Sequence, residues 1–167
     1  LRLLGCVFSG NVAQNGGAVM TVHNTTDDEA QSGLEVAGCT FDGNVVDYNG
    51  GAGFAGGDVT VSNSQFVANG AGVQGGAICV GGPASAEGVT VRVEPGTVFR
   101  GNMATNDAVW TCGGAIALVS DGGRQDIVGR YVVFEDNAAR SPAGAFGGAI
   151  FTGRGAAAVV DCARFLN

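Results

Sequence analysis

The sequence predicts an all-β fold: a single-stranded, right-handed parallel β-helix of about five rungs, with residues 1–167 forming one segment. Three observations predict it. A Phe-x-x-Asn motif starts at Phe8, Phe41, Phe66, Phe99 and Phe134, in steps of 33, 25, 33 and 35 residues. A double Gly followed by Ala comes after each copy, at Gly16, Gly50, Gly75, Gly113 and Gly147. Val-rich alternating runs precede the Phe, such as "LEVAGCTF" from Leu34, "VTVSNSQF" from Val59 and "VTVRVEPGTVF" from Val89. Alternation with β-branched residues reads as strand, and no sustained 3.6-residue pattern of good helix formers competes with it.

Each element of the repeat has a place in such a coil. The shortest step, 25 residues, suits one turn of two or three short strands. The longer steps carry insertions at "HNTTDDEAQS", "GGPASAEG", "MATNDAVWTC", "DGGRQD" and "AARSPAGAF", as loops of individual repeats do. A motif position stacks on itself ~4.8 Å away in the next rung, so five rungs span ~24 Å. Phe8, Phe41, Phe66, Phe99, Phe134 and Phe165 are therefore expected to form one internal column of rings. Asn11, Asn44, Asn69, Asn102 and Asn137 are expected to link their amides from rung to rung, and to supply the left-handed backbone of a tight corner. The Gly pair is expected to let the chain turn and lie close to the opposite wall. Beyond it, Ala and Ile are expected to point alternately, with Ile78, Ile116 and Ile150 on one apolar face.

Composition narrows the class. Gly accounts for 31 of 167 residues, well over twice the average of ~7%. With only 3 Pro, and with the Gly set among Val, Ala and Phe, neither collagen nor a linker fits. Net charge is −7 and all 8 basic residues are Arg. No basic stripe for nucleic acid is present, and the acidic excess reads as a solvated surface. No apolar run approaches the ~18 residues of a membrane helix. The chain opens inside a motif, on "LRLLGCVFSGN", and ends inside another, on "CARFLN". The expectation is a segment of a longer solenoid, continued or packed end to end with copies of itself.

Five ordered pairs of Phe-x-x-Asn and Gly-Gly-Ala-Ile resemble the repeats of the chlamydial polymorphic outer membrane proteins, and related repeats of algal and environmental bacterial surface proteins. The resemblance covers essentially the whole chain, with "GGAG" at Gly50 and "GGAV" at Gly16 as departures. It implies an autotransporter-passenger-like, pectin-lyase-like solenoid, extracellular or at the cell surface, with an adhesive role. No transporter barrel signature accompanies it.

Cys6 and Cys39 sit two residues before their Phe. They read either as small buried residues of a stack or as a disulfide between adjacent rungs, since ~4.8 Å lies within the Cα range of such a bond. Cys79 and Cys112 flank their Gly-Gly-Ala motifs on opposite sides, five residues out of register, which argues against pairing them. An odd total of 5 Cys leaves a thiol free or intermolecular, and the absence of CxxC argues against zinc. Asn24 begins the one N-x-[ST] sequon and is a glycosylation candidate in an acidic loop with Asp27, Asp28 and Glu29; the single His, His23, borders it. Arg100 and Glu135 follow the Phe on neighbouring rungs and read as an exposed ion pair. Thr21, Thr60, Thr90 and Thr152 occupy scattered positions, which excludes a flat ice-binding ladder. No wall repeats its acids, so no catalytic residue, metal or cofactor is expected. The functional expectation is a structural or adhesive rod that meets a surface protein, a glycan or its own copies. The alternative is a polysaccharide lyase or glycoside hydrolase, which a convergence of Asp42, Asp58, Asp136 and Asp161 with an Arg would reveal.

Overall fold

Short Val-rich runs separated by Gly corners cannot cover their own apolar face, and stacking like runs on one another is the way they do so. The computed structural model describes residues 1–22, 33–81, 88–119, 125–153 and 156–166. The first rung holds β1 (Arg2–Leu4), β2 (Val7–Ser9), β3 (Val12–Asn15) and β4 (Val19–Thr21). The second holds β5 (Leu34–Ala37), β6 (Thr40–Asp42), β7 (Val45–Asn49) and β8 (Gly53–Ala55). The third holds β9 (Val59–Ser62), β10 (Gln65–Val67), β11 (Gly70–Ala71) and β12 (Ile78–Gly81). In the fourth are β13 (Val89–Val93), β14 (Val98–Arg100), β15 (Met103–Thr105), β16 (Thr111–Cys112) and β17 (Ile116–Val119). In the fifth are β18 (Gln125–Arg130), β19 (Val133–Glu135), β20 (Ala138–Arg140), β21 (Ala145–Phe146) and β22 (Ile150–Thr152), and a sixth opens with β23 (Ala156–Asp161) and β24 (Arg164–Leu166). No helix occurs among the described residues.

The strands line up rung over rung in four sheets, and all pair in parallel: β1-β5-β9-β13-β18-β23, β2-β6-β10-β14-β19-β24, β20-β15-β11-β7-β3 and β22-β17-β12-β8-β4. This is the predicted β-solenoid. The insertions of the fourth and fifth rungs add β16 and β21, which pair with each other beside the third sheet.

Alternation aims every second residue inward. In the first sheet Leu34, Val59, Val91 and Ile127 share one inner row, and Val36, Val61 and Val93 a second; all are buried. In the fourth sheet Ile78, Ile116 and Ile150 share the expected column, with Val19 and Gly53 completing it. The alternating orientation expected of Ala and Ile is corrected, because Ala77 and Ile78 both belong to the central core, as do Ala115 and Ile116. The Ala still lies in the corner, so its methyl and the first strand side chain both face inward.

Each rung turns at three left-handed positions. One column lies three residues before the Phe, at Gly5, Gly38, Asn63, Gly96, Tyr131 and Cys162. A second lies two residues after it, at Gly10, Gly43, Ala68, Gly101 and Asp136, and the third is the first Gly of each pair. The ladder Asn is therefore not the left-handed residue, as expected, but follows it. The turn at the preceding position swings the Asn side chain into the core, where Asn44, Asn69 and Asn102 are fully buried.

The double Gly has two separate causes. A Cβ on the first Gly would collide with the carbonyl three residues ahead: Gly75 would meet the Ile78 oxygen at 2.2 Å. The second Gly is excluded from carrying one by the next rung, at its corner and also on the facing third-sheet strand, in line with the expected close approach to another wall. A Cβ on Gly51 would lie 2.7 Å from the Gly70 oxygen, and one on Gly76 2.5 Å from the Met103 nitrogen. The corner contacts are closer still. A Cβ on Gly51 would lie 2.1 Å from the Gly76 oxygen, and one on Gly76 the same distance from the Gly114 oxygen.

Candidate functional site

The residues singled out as a ladder do assemble into one. The six Phe rings stack face to face at 4.9, 4.8, 4.8, 5.1 and 4.9 Å from Phe8 to Phe165. Phe41, Phe66, Phe99 and Phe134 are buried, whereas Phe165 on the last described rung is 56% exposed.

The Asn column beside them is hydrogen-bonded to saturation in its interior. Asn69 Nδ2 donates to Asn102 Oδ1 at 3.0 Å and back to the Phe41 carbonyl at 3.0 Å. Its Oδ1 accepts from the Asn44 backbone N–H at 3.0 Å and from Asn44 Nδ2 at 2.9 Å. Asn102 repeats the pattern with Asn137 and the Phe66 carbonyl. At one end Asn11 donates to Asn44 at 2.7 Å. A buried primary amide needs two acceptors and two donors, and one-rung translation supplies all four.

Cys6 and Cys39 stack, as the first of their two readings has it; the alternative, a disulfide between them, is absent and both thiols are free. Each sulfur turns along its own chain: Cys6 donates to the Leu4 carbonyl at 3.3 Å and Cys39 to the Ala37 carbonyl at 3.4 Å. The two side chains thus run parallel rather than toward each other. Cys39 Sγ instead accepts the Cys6 N–H at 3.3 Å, and Ser64 repeats the geometry one rung on with a 2.7 Å bond to the Ser62 carbonyl.

Cys79 and Cys112 keep the expected five-residue offset, Cys79 pairing in register with Ala117 and Cys112 with Gln74. Both are fully buried and pack with Ala117 in a small cluster of their own, against Phe54, Val119 and Phe151. The offset spans the Gly-Gly-Ala corner, which brings the two residues into one cluster. Ala117 is the register partner of Cys79, and a Cβ on Gly113, next to Cys112, would lie 2.9 Å from the Ala117 methyl. Burial pushes the Cys112 thiol up to about 12 and, together with Cys112 itself, raises that of Cys79 further. Exposed Cys162 is raised chiefly by its hydrogen bond to Asp161.

Asp42, Asp136 and Asp161 fall on separate parts of the surface, whereas Glu35 and Asp58 line one open hollow with Arg2. Asp42 lies on the outer face of the second sheet, Asp136 at the following corner, and Asp161 at the end of β23 beside Arg130 at 3.7 Å. Asp58 precedes β9 and accepts the Thr90 N–H at 2.7 Å. Arg100 and Glu135 form the expected exposed pair at 2.6 Å, and Arg2 and Glu35 another at 3.1 Å. Among the described residues, no three His, Cys, Asp or Glu group as metal ligands would. A shallow groove on the third sheet runs between Val45 and Met103 over Gly70 and Gly72, with Asp47 the one carboxylate of its lining. No described helix is long and apolar enough to cross a membrane. His23, Asn24 with its sequon, and Asp27, Asp28 and Glu29 lie outside the described residues.

Comparison with protein-family models, with curated proteins and with solved structures found no match.

Proposed function

We propose that the chain is an extracellular or cell-surface structural segment, a stiff rod whose corners and inserted loops carry adhesion to a surface protein, a glycan or further copies of itself. The observation that carries this reading is where the specific chemistry has gone. The aromatic and amide side chains of the repeat bond to their own images in adjacent rungs, so they build stiffness rather than a cleft. Asp42, Asp136 and Asp161 stand apart, and the third-sheet groove offers Asp47 alone. Glu35 and Asp58 share a hollow with Arg2, where Glu35 is engaged by the Arg2 guanidinium and Asp58 by the Thr90 N–H. Glycoside hydrolysis by the usual route uses two facing carboxyl groups. The repeat resemblance to surface adhesins points the same way.

The test is direct. The chain is incubated with pectate, alginate and neutral glucans, with and without calcium, and chain length is followed; in parallel, labelled chain is presented to cells and to immobilised glycans. Intact polymers with saturable binding are the expected result. Turnover that Asp47→Asn abolishes would overturn the reading in favour of a carbohydrate-active enzyme.

A further inference from the structure

We propose that Cys79 and Cys112 are a latent cross-link, able to form a disulfide that ties the third rung to the fourth and fastens the inserted loop ahead of β16 to the body of the solenoid. The proposal stands on geometry and is independent of where the protein resides. The two thiols share one buried cluster with Ala117. One belongs to the continuous strand β12. The other ends the insertion of the fourth rung and bonds back through its backbone, with its N–H donating to the Val73 carbonyl at 3.1 Å and its carbonyl accepting the Gly75 N–H at 3.0 Å. The Gly-Gly-Ala corner thus brings a residue before the turn in one rung next to a residue after the turn in the adjacent rung. This diagonal differs from the Cys6–Cys39 stack, where parallel side chains each bond to their own carbonyl.

The thiols are free in the structure, so closure draws the segment carrying Cys112 toward β12. That segment has room to give. Asp107, Ala108, Val109 and Trp110 are exposed. They are pinned by the Asn106 side chain, which donates to the Gly72 carbonyl at 2.8 Å and accepts the Ala108 and Val109 N–H groups, and by Ser141, whose hydroxyl donates to the Val109 carbonyl at 2.7 Å. Lifting this loop presents Cys112 first. Its thiolate attacks a low-molecular-weight disulfide such as oxidised glutathione, forming a mixed disulfide and releasing one glutathione thiol. The Cys79 sulfur then displaces the second glutathione. Two protein thiols are oxidised, one external disulfide is reduced to two thiols, and the two protons pass from protein to glutathione. Burial keeps both thiols protonated, so the exchange is slow and follows loop opening.

The experiment uses the whole chain, reduced and then freed of reductant. It is incubated with oxidised glutathione at mildly alkaline pH, across a urea series that stays below the unfolding midpoint. Remaining thiols are capped with N-ethylmaleimide, and peptides from combined tryptic and Asp/Glu-specific cleavage are mapped by mass. Arg92 and Arg100 separate Cys79 from Cys112, while Glu35, Asp42, Asp47 and Asp58 separate Cys6, Cys39 and Cys79 from one another. The expected result is a Cys79–Cys112 linked peptide, the loss of two cappable thiols per chain, and a higher thermal midpoint than the reduced protein. The Cys79→Ala/Cys112→Ala chain shows no rise with oxidant. A native-state yield of the link no greater than that from fully unfolded chain would overturn the proposal. So would Cys112 joined to any other cysteine, or trapped as a stable glutathione adduct.

Discussion

Replacing Asn69 by Ala at the centre of the amide column is the sharpest test of what holds the rungs together. The side chain makes four hydrogen bonds, at 3.0, 3.0, 3.0 and 2.9 Å. Truncation leaves Asn102 Oδ1 its bond from the Asn69 backbone N–H at 3.1 Å. The Asn44 N–H and one Nδ2 hydrogen of Asn44 lose their acceptor inside a site with no exposure. At ~1–3 kcal/mol for each stranded buried donor, the expected loss is about 2–6 kcal/mol. Asn11→Ala is the internal control. That exposed residue gives up its 2.7 Å bond at the edge of the column, where water replaces it, so the expected loss is below about 1 kcal/mol. Urea unfolding followed by circular dichroism, with the slope unchanged, reads both. Equal losses for the two variants, or a loss for Asn69→Ala under ~0.5 kcal/mol, would show that the column is a consequence of stacking and not a cause of it. Asn69→Asp adds a sign. Full burial disfavours a carboxylate there, and one of its oxygens would face Asn102 Oδ1 and the Phe41 carbonyl, both acceptors. Its folded pKa therefore rises, against the pull of the two Asn44 donors on the other oxygen. Stability of that variant is expected to be greatest below the unfolded value of ~3.9 and to fall as pH rises through the folded one.

Other positions give contrasts of the same kind. Phe66→Ala is expected to cost about 3–5 kcal/mol as an enclosed ring, and Phe165→Ala far less, since it is 56% exposed. Gly76→Ala, whose methyl would lie 2.1 Å from the Gly114 oxygen, is expected at or above the top of the ~1–3 kcal/mol range for overpacking; Gly43→Ala meets nothing within 4 Å and is expected to cost ~1–2 kcal/mol for its left-handed φ. Equal midpoints for those two would refute the backbone account of the double Gly. Arg100→Ala, at an exposed pair, is expected to shift stability by no more than about 1 kcal/mol in unfolding titrations. The Cys112 thiol, raised by burial to about 12 from 9.0 when unfolded, contributes stability that is complete below pH 9 and lost as pH rises toward the folded value. Unfolding free energy measured against pH is expected to decline there by about 1.4 kcal/mol per pH unit for each such thiol, and less steeply in Cys112→Ala.

The sequence made the columns legible and the corners less so. A residue that repeats at one position of a coil must meet itself, so Phe66 and Asn69 could be placed without coordinates. The inserted loops were visible as length, but the pairing of β16 with β21 was not, because "TC" and "AF" carry no repeated motif. The Gly-Gly-Ala corner misled once. It hid the contact of Cys79 with the neighbourhood of Cys112, since residues on opposite sides of a sharp turn are close in space at a separation that strand logic calls distant. The separate corner after the Phe hid its left-handed residue, which is the one before the Asn and not the Asn itself. The placement of acids depends on these same corners, which is why their dispersal over several faces needed the fold.

The three corners obey different rules, and the difference bears on where partner recognition can reside. At the Gly-Gly corner a side chain is barred by backbone atoms of its own turn and of the next rung, so that corner is monotonous in every repeat. At the other two, a Cβ on Gly5, Gly10, Gly43 or Gly101 would meet nothing within 4 Å. The left-handed backbone is then the sole cost, on the order of 1–2 kcal/mol for a residue other than Gly. The chain accepts that cost at Asn63, Ala68, Tyr131, Asp136 and Cys162, with φ of 44, 52, 52, 53 and 52°. Four of these five side chains are polar or reactive, and Tyr131 projects far enough to lie under the Arg130 guanidinium at 5.0 Å. A solenoid that fixes one edge and leaves two open can vary its surface chemistry there without disturbing the Phe and Asn columns. If those edges carry adhesion, Tyr131→Gly relieves the backbone strain and removes a contact group at once. It is expected to hold or raise the unfolding midpoint while lowering binding to cells, an outcome that a purely structural role for Tyr131 would not produce.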